Sequence, residues 1–547
     1  MKFNRRELAL AALAAACAPR GASDLIIHGG RIYTGVAAAP SVEAVRISGE
    51  RFVVAGSLAE ARARSTGARE IDLRGAAAFP GFTDSHVHLT GVGMAALRLD
   101  LVGVESIAAL QQRLRDYAAS HREGAIYGRG WIETHWPEHR FPTRADVDAV
   151  VSDRPVYLER VDGHAAVVNS AALALANIDN NTPSPNGGAI ERDAAGAATG
   201  MLIDNATGLV ENRLPPATPA MVRQAIAEGA RLYASRGWTG ICNMSTSAAE
   251  AALFEEFART GELPLRADIY LTPDDSASVL ERGPYGEGLV HVRGVKLYMD
   301  GALGSRGAAL LARYSDAPSQ GLLVTPIEQM RAIMARARAK GAQVATHAIG
   351  DRGNRLTLDA YRDTFADDPT ALRAARWRIE HAQVLSPQDL PRFAAMGVIA
   401  SMQPSHAISD LFFAPARLGP DRLAGAYAWR SLLDSGAVIC AGSDAPVEKG
   451  DPLIEFYAAA YRHDLSGFAG PDWHLDQAVT RPEALAMLTT AAAFATFAET
   501  ERGVVAAGKK ADLSVFSADL MTAAPADIAA AQAVMTVSEG RITHEAL

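Results

Sequence analysis

The segment Phe79-Pro80-Gly81-Phe82-Thr83-Asp84-Ser85-His86-Val87-His88 runs an apolar strand into a His-x-His pair. In extended backbone, residues two apart project from one face, so the imidazoles of His86 and His88 can reach a single cation. Imidazole nitrogen suits zinc and its first-row neighbours, and a divalent ion held this way makes water acidic enough to attack a carbonyl. A bare His-x-His also arises as two surface histidines by chance. Its place at the end of an apolar strand is what gives this pair chemical weight.

The elements around the pair set where it can sit. From Asp24 to about Ala78 the chain alternates short apolar runs with turns, as in Leu25-Ile26-Ile27-His28 before Gly29-Gly30 and Ala44-Val45-Arg46-Ile47 before Ser48-Gly49. That punctuation predicts hairpins. The far end repeats it at Ala511 to Phe516 and Val534 to Val537. A sheet buried on one face needs a partner, so the two ends are expected to form one small β-sandwich bracketing the middle of the chain. Between them, apolar strands alternate with alanine-rich stretches of helical periodicity, including Met221 to Ser235 and Ile327 to Lys340. This βα repetition permits an open doubly wound sheet or a closed barrel. No glycine-rich phosphate loop follows the first strand, and ligand-type residues at successive strand ends favour the barrel, whose strand C-termini share one mouth. The expected division is a leader over 1–23, sandwich strands over 24–78, a barrel with insertions over 79–497 and the remaining sandwich over 498–547.

The 547 residues are 49% hydrophobic and 21% charged with a formal net charge of -9, the profile of an ordinary globular enzyme. No Lys/Arg-rich run offers phosphate neutralisation, so nucleic acid is excluded as a partner. Lys2, Arg5 and Arg6 precede the apolar run Leu8 to Ala16, which falls short of the roughly 20 residues that span a bilayer and reads as an export signal. Asn4-Arg5-Arg6-Glu7-Leu8 resembles a twin-arginine signal, implying a periplasmic or otherwise exported bacterial protein. Ala14-Ala15-Ala16-Cys17 resembles a lipoprotein cleavage box, which would anchor Cys17 to lipid. With the leader removed only Cys242 and Cys440 remain, and two cysteines make no disulfide framework.

Further segments stand beside the His-x-His pair: Gly294-Val295-Lys296-Leu297-Tyr298-Met299-Asp300-Gly301, Val344 to Asp351 around His347, Arg378-Ile379-Glu380-His381-Ala382-Gln383, and Ile439 to Pro446 around Asp444. With them, the chain from about Asp24 to its end resembles the amidohydrolase superfamily, in the branch of N-substituted formamide deformylase-like and D-aminoacylase-like enzymes. The resemblance implies an α/β fold, a distorted TIM (β/α)8 barrel with the small β-sandwich. It implies two divalent metals, zinc above others, held by His86, His88, Lys296, His347, His381 and Asp444. Lys296 would react with carbon dioxide to give a bridging carbamate, since an ammonium cannot ligate a cation. Asp444 would be the general base. Asp300, four residues beyond the lysine, either orients these ligands or shapes its loop.

Outside this set, Arg160-Val161-Asp162-Gly163-His164 matches a family segment. There His164 either holds the substrate carbonyl or is a structural loop histidine. Trp131 and Trp136 are equally open between pocket wall and packing, and His406, in the segment after the seventh strand, is expected to line the pocket without a catalytic task. The implied activity is hydrolysis of a non-peptide carbon–nitrogen bond, such as an N-formyl or N-acyl amine, in a small-molecule substrate. Ester or lactone hydrolysis, a mononuclear deaminase or isomerase with unmodified Lys296, and an exported regulatory protein without catalysis are the alternatives. A homo-oligomer is compatible with all of them.

Overall fold

The computed structural model describes residues 24–547 apart from 64, 66, 134–135, 161–164 and 186–187. The expected leader with Cys17, and His164, lie outside the described residues. The chain divides into two compact units, one of residues 1–88 with 230–547 and one of residues 89–229.

The larger unit contains eight parallel strands in sequential order: β1 (Phe82–Val87), β2 (Trp238–Thr246), β3 (Arg266–Leu271), β4 (Val290–Tyr298), β5 (Gln343–Ala348), β6 (Arg378–His381), β7 (Ile399–Met402) and β8 (Ile439–Ala441). Their residues are buried almost throughout, as expected of strands covered on both faces. Helices return the chain between them. In Ile327–Lys340 the buried side chains are Met330, Met334 and Ala337, one face at helical spacing, and Gly341 ends the helix at φ 68.

The seam between β8 and β1 is made by the segment following β8. Asp444 N donates to His86 O at 2.7 Å and His88 N to Ala445 O at 2.9 Å. Gly442 permits this approach, because a Cβ there would lie 2.3 Å from the His86 backbone nitrogen. Asp84 adds a polar clasp, accepting from Ser443 N at 2.9 Å, Ser443 Oγ at 2.6 Å and Tyr233 OH at 3.1 Å. The eight strands thus form a nearly closed TIM-like barrel.

The same unit carries the β-sandwich. One sheet orders Arg51–Gly56, Ala44–Ser48, Leu25–His28 and Arg69–Asp72. The other orders Arg541–Glu545, Ala533–Ser538, Leu513–Phe516, Ala77–Pro80, Ile32–Tyr33 and Ser41–Val42. Chain ends meet where Leu513 pairs Pro80 and Val515 pairs Ala78. Alternate residues of both sheets, among them Leu25, Ile27, Val45, Ile47, Leu513 and Val515, share one core, the period-two burial that the hairpin pattern requires. Ala77–Pro80 belongs to this sheet, so the barrel begins at Phe82 and not at residue 79.

The unit of residues 89–229 lies in the chain between β1 and β2. Its six-stranded sheet orders Gly188–Arg192, Ala198–Asp204, Ala165–Val168, Val156–Arg160, Ile126–Trp131 and Leu99–Asp100. Among the described residues of the chain, no helix is long and apolar enough to cross a membrane.

Candidate metal centre

His86 is the penultimate residue of β1 and His88 follows the strand, which brings their rings to 5.5 Å between centroids. His86 Nδ1 lies 2.7 Å from Glu380 Oε2, and His88 Nδ1 lies 3.1 Å from Met244 O. On β6, His381 Nδ1 lies 2.8 Å from Gln403 Oε1. Each of these partners accepts hydrogen bonds, so each Nδ1 carries the proton and each Nε2 keeps its lone pair.

Those lone pairs meet Asp444. His88 Nε2 is 3.1 Å and His86 Nε2 3.5 Å from Asp444 Oδ1. Acceptor facing acceptor in a buried site is unfavourable unless a positive charge lies between. Burial pushes the Asp444 carboxyl up, but positive charge on the cluster around it, at His86 above all, outweighs that and holds it well below the usual carboxylate range. Burial pushes His86 down to about 4 and His347 to about 3, in each case helped by Lys296. Anionic carboxylate and neutral imidazoles are the forms that ligate divalent metals. The donor set fits such ions.

Lys296, near the end of β4, is 1% exposed, and its Nζ stands 3.1 Å from His86 Nε2. Burial pushes its amine down to about 8, which makes the neutral form accessible near physiological pH. His347, near the end of β5, packs edge-on to His381 with centroids 4.5 Å apart, and its Nε2 lies 3.6 Å from Asp300 Oδ1. Asp300 accepts from Ala309 N, Ile349 N and Gly350 N at 2.8 to 2.9 Å, so it ties the loop after β4 to the loop after β5. The six sequence-predicted ligands are gathered at the C-terminal ends of β1, β4, β5, β6 and β8.

The remaining described candidates differ in their surroundings. Trp131 is fully buried and Trp136 1% exposed within the core of the 89–229 unit. Their indole nitrogens donate to Leu158 O and Val104 O, each at 2.8 Å. Packing within that unit accounts for both rings. His406 stands with the metal-ligand candidates, its ring stacked on His381 at 5.9 Å.

Residues 69–544 match the amidohydrolase family. The chain belongs to that family. It is 34% identical over 538 residues to the protein named "Putative amidohydrolase YtcJ" of Bacillus subtilis (strain 168), covering 95% of this chain and 99% of that one. It is 27% identical over 552 residues to the N-substituted formamide deformylase of Arthrobacter pascens, covering 95% and 98%. Its fold superposes on the crystal structure of an uncharacterized metal-dependent hydrolase from Pyrococcus horikoshii OT3 with a TM-score of 0.77 at 28% identity, covering 92% and 99%. The amidohydrolase is accordingly a hydrolase with a small-molecule substrate, and its His and Asp clusters are candidate metal-binding groups.

Three residues of this amidohydrolase's site carried no role in the sequence. Glu380 orients His86, Gln403 orients His381, and Arg378 holds Glu380 through Nε at 2.5 Å. Glu380 adjoins His381 in the chain but serves His86, a partner 294 residues away. Only the placement of β1 and β6 in the nearly closed barrel reveals that service.

Proposed function

We propose that the protein hydrolyses a non-peptide carbon–nitrogen bond, such as that of an N-formyl or N-acyl amine, at a binuclear centre of zinc or a similar divalent metal. The convergence of anchored imidazoles on one anionic carboxylate carries this reading. His86, His88, Lys296, His347, His381 and Asp444 would hold the metals, with Lys296 carboxylated: its neutral amine adds to carbon dioxide, releases one proton and becomes an anionic carbamate. Bound divalent metals supply a water acidified to near neutrality and an electrophile for a carbonyl.

The protein's own groups do the rest. Asp444, fixed by its backbone hydrogen bond to His86 O at 2.7 Å, receives the proton of the attacking water and returns it to the leaving nitrogen, which must depart as a neutral amine. Glu380, Met244 O and Gln403 keep the imidazoles from rotating, so the geometry exists before substrate arrives. His164 is a candidate to hold the substrate carbonyl. The leader-like sequence of residues 1–23 supports a periplasmic or otherwise exported bacterial enzyme, and Cys17 would carry any lipid anchor.

The experiment is metal analysis of the purified protein joined to a substrate panel of N-formyl amines, N-acyl amines, esters and lactones. The reading expects about two metals per chain and turnover confined to, or strongest on, the amide-like substrates. A metal-free protein, or one that cleaves only esters and lactones at comparable leaving-group reactivity, defeats it.

A further inference from the structure

A cavity of about 640 Å³ lies wholly within the 89–229 unit, inside the range of roughly 300–1,000 Å³ typical of small-molecule sites. None of the metal-ligand candidates lines it. Its walls are aromatic and aliphatic. Tyr117, on the helix Ile107–Ser120, stacks face to face on His121 with centroids 3.9 Å apart. Tyr127 stands on the strand Ile126–Trp131. The two tyrosine hydroxyls donate to Leu97 O at 2.9 Å and Pro215 O at 3.1 Å, so both rings are held in place before anything binds. Met94, Leu97 and Leu214 add aliphatic surface.

Two opposite charges line the same cavity. Arg98 follows the helix Leu89–Leu97 and lays its guanidinium over the Tyr127 ring, 4.9 Å from the centroid. Glu211 is the last residue of the short helix Gly208–Glu211. Both side chains are exposed, and among the described residues neither forms an ion pair, with the other or with a third group. Arg62 and Arg140, by contrast, are exposed arginines that pair with Glu70 and Asp146. Tyr127 lies in the field of both charges: burial pushes its phenol up, Arg98 draws it down and Glu211 raises it. A ligand with one charge would leave the other group of the cavity without a partner. A ligand carrying both signs satisfies the two together.

We infer that this cavity binds a zwitterion with an apolar body, an α-amino acid with an aromatic or large aliphatic side chain. Its carboxylate would lie on Arg98, its ammonium on Glu211 and its side chain against Tyr117, His121 and the aliphatic wall. Arg98 offers a planar pair of N–H donors that matches the two oxygens of a carboxylate, and stacking on the Tyr127 face orders that plane in advance. The site shares no residue with the metal centre and does not rest on the hydrolytic reading.

The test is isothermal titration calorimetry of the full-length protein with L-phenylalanine, with 2-phenylethylamine, which lacks the carboxylate, and with 3-phenylpropanoate, which lacks the ammonium. The expected result is saturable one-to-one binding of L-phenylalanine, with each of the other two weaker by about 10-fold or more. Arg98→Gln should abolish the advantage of L-phenylalanine over 2-phenylethylamine, and Glu211→Gln its advantage over 3-phenylpropanoate. Chelation of the amino acid by a metal in the barrel would survive both substitutions. No saturable binding of L-phenylalanine, equal affinity for the three compounds, or affinities unchanged in folded Arg98→Gln and Glu211→Gln overturns the inference. None of these outcomes touches the metal content and turnover that test the proposed function.

Discussion

His86 Nδ1 and Glu380 Oε2 lie 2.7 Å apart with both side chains fully buried. Burial pushes the Glu380 carboxyl up, but Arg378 and then His86 outweigh it and hold it well below the usual range. An anionic Glu380 fixes the imidazole's orientation and makes its free nitrogen a better donor. Replacing Glu380 by Gln is expected to weaken metal binding by about 10- to 100-fold, read by competition with a chelator. Because Arg378 then loses its buried counter-charge, stability should also fall, by about 3–5 kcal/mol, in a denaturant titration of the same variant. Unchanged metal affinity would show that the pair only packs the barrel.

Asp444→Asn removes the proton acceptor while keeping the side chain's shape. Turnover should drop by about 10²- to 10⁴-fold with the circular dichroism spectrum intact. Near-normal turnover would move the base to another residue.

The Lys296 amine is pushed by burial to about 8, below the ordinary lysine value of 10.5. The folded chain therefore binds fewer protons than the unfolded chain between those values, and this residue's contribution to stability rises with pH across that window. Below about 8 both states carry the ammonium, and the cost of burying it is constant. The neutral amine that reacts with carbon dioxide is scarce at pH 6 and predominant at pH 9. Metal-free protein given zinc and ¹³C-labelled carbon dioxide, held at the same dissolved CO2 concentration at each pH, should accordingly develop its carbamate carbon resonance faster at pH 9 than at pH 6. Equal rates, or no such resonance, would return Lys296 to an unmodified role.

Trp131 donates to Leu158 O from inside a packed core. Trp131→Phe should cost about 1–3 kcal/mol, the price of stranding that carbonyl, and leave KM unchanged for whatever substrate the panel identifies. A selective rise in KM without loss of stability would restore the pocket-wall role.

Much of this was readable before any coordinates. His86 and His88 announce themselves because strand geometry repeats every two residues, and the hairpins at both ends show the same alternation that buries Leu25 and Ile27, or Leu513 and Val515, in one core. The other candidate ligands were legible through family resemblance, each at or just past a strand end. His406 was read from its segment as pocket lining, and in the structure its ring stacks on that of His381 at 5.9 Å. Trp131 and Trp136 could not be assigned because an aromatic beside glycines reads alike whether it faces a ligand or a neighbour. Only the sheet of their own unit decides. Glu380 was hidden for a different reason: its chain neighbour and its working partner are two different histidines.

The seam of the barrel also governs when the site can come into being. The hydrogen bonds from Asp444 N to His86 O and from His88 N to Ala445 O join groups some 350 residues apart in synthesis order. The sandwich strand preceding β1 finds its neighbour Leu513–Phe516 later still. A nascent chain emerging from the ribosome thus holds its first two imidazoles without their carboxylate for most of translation, and early cation capture has no finished cage to enter. Any metal held by these groups would therefore be loaded late, once the C-terminal fifth of the polypeptide is being completed.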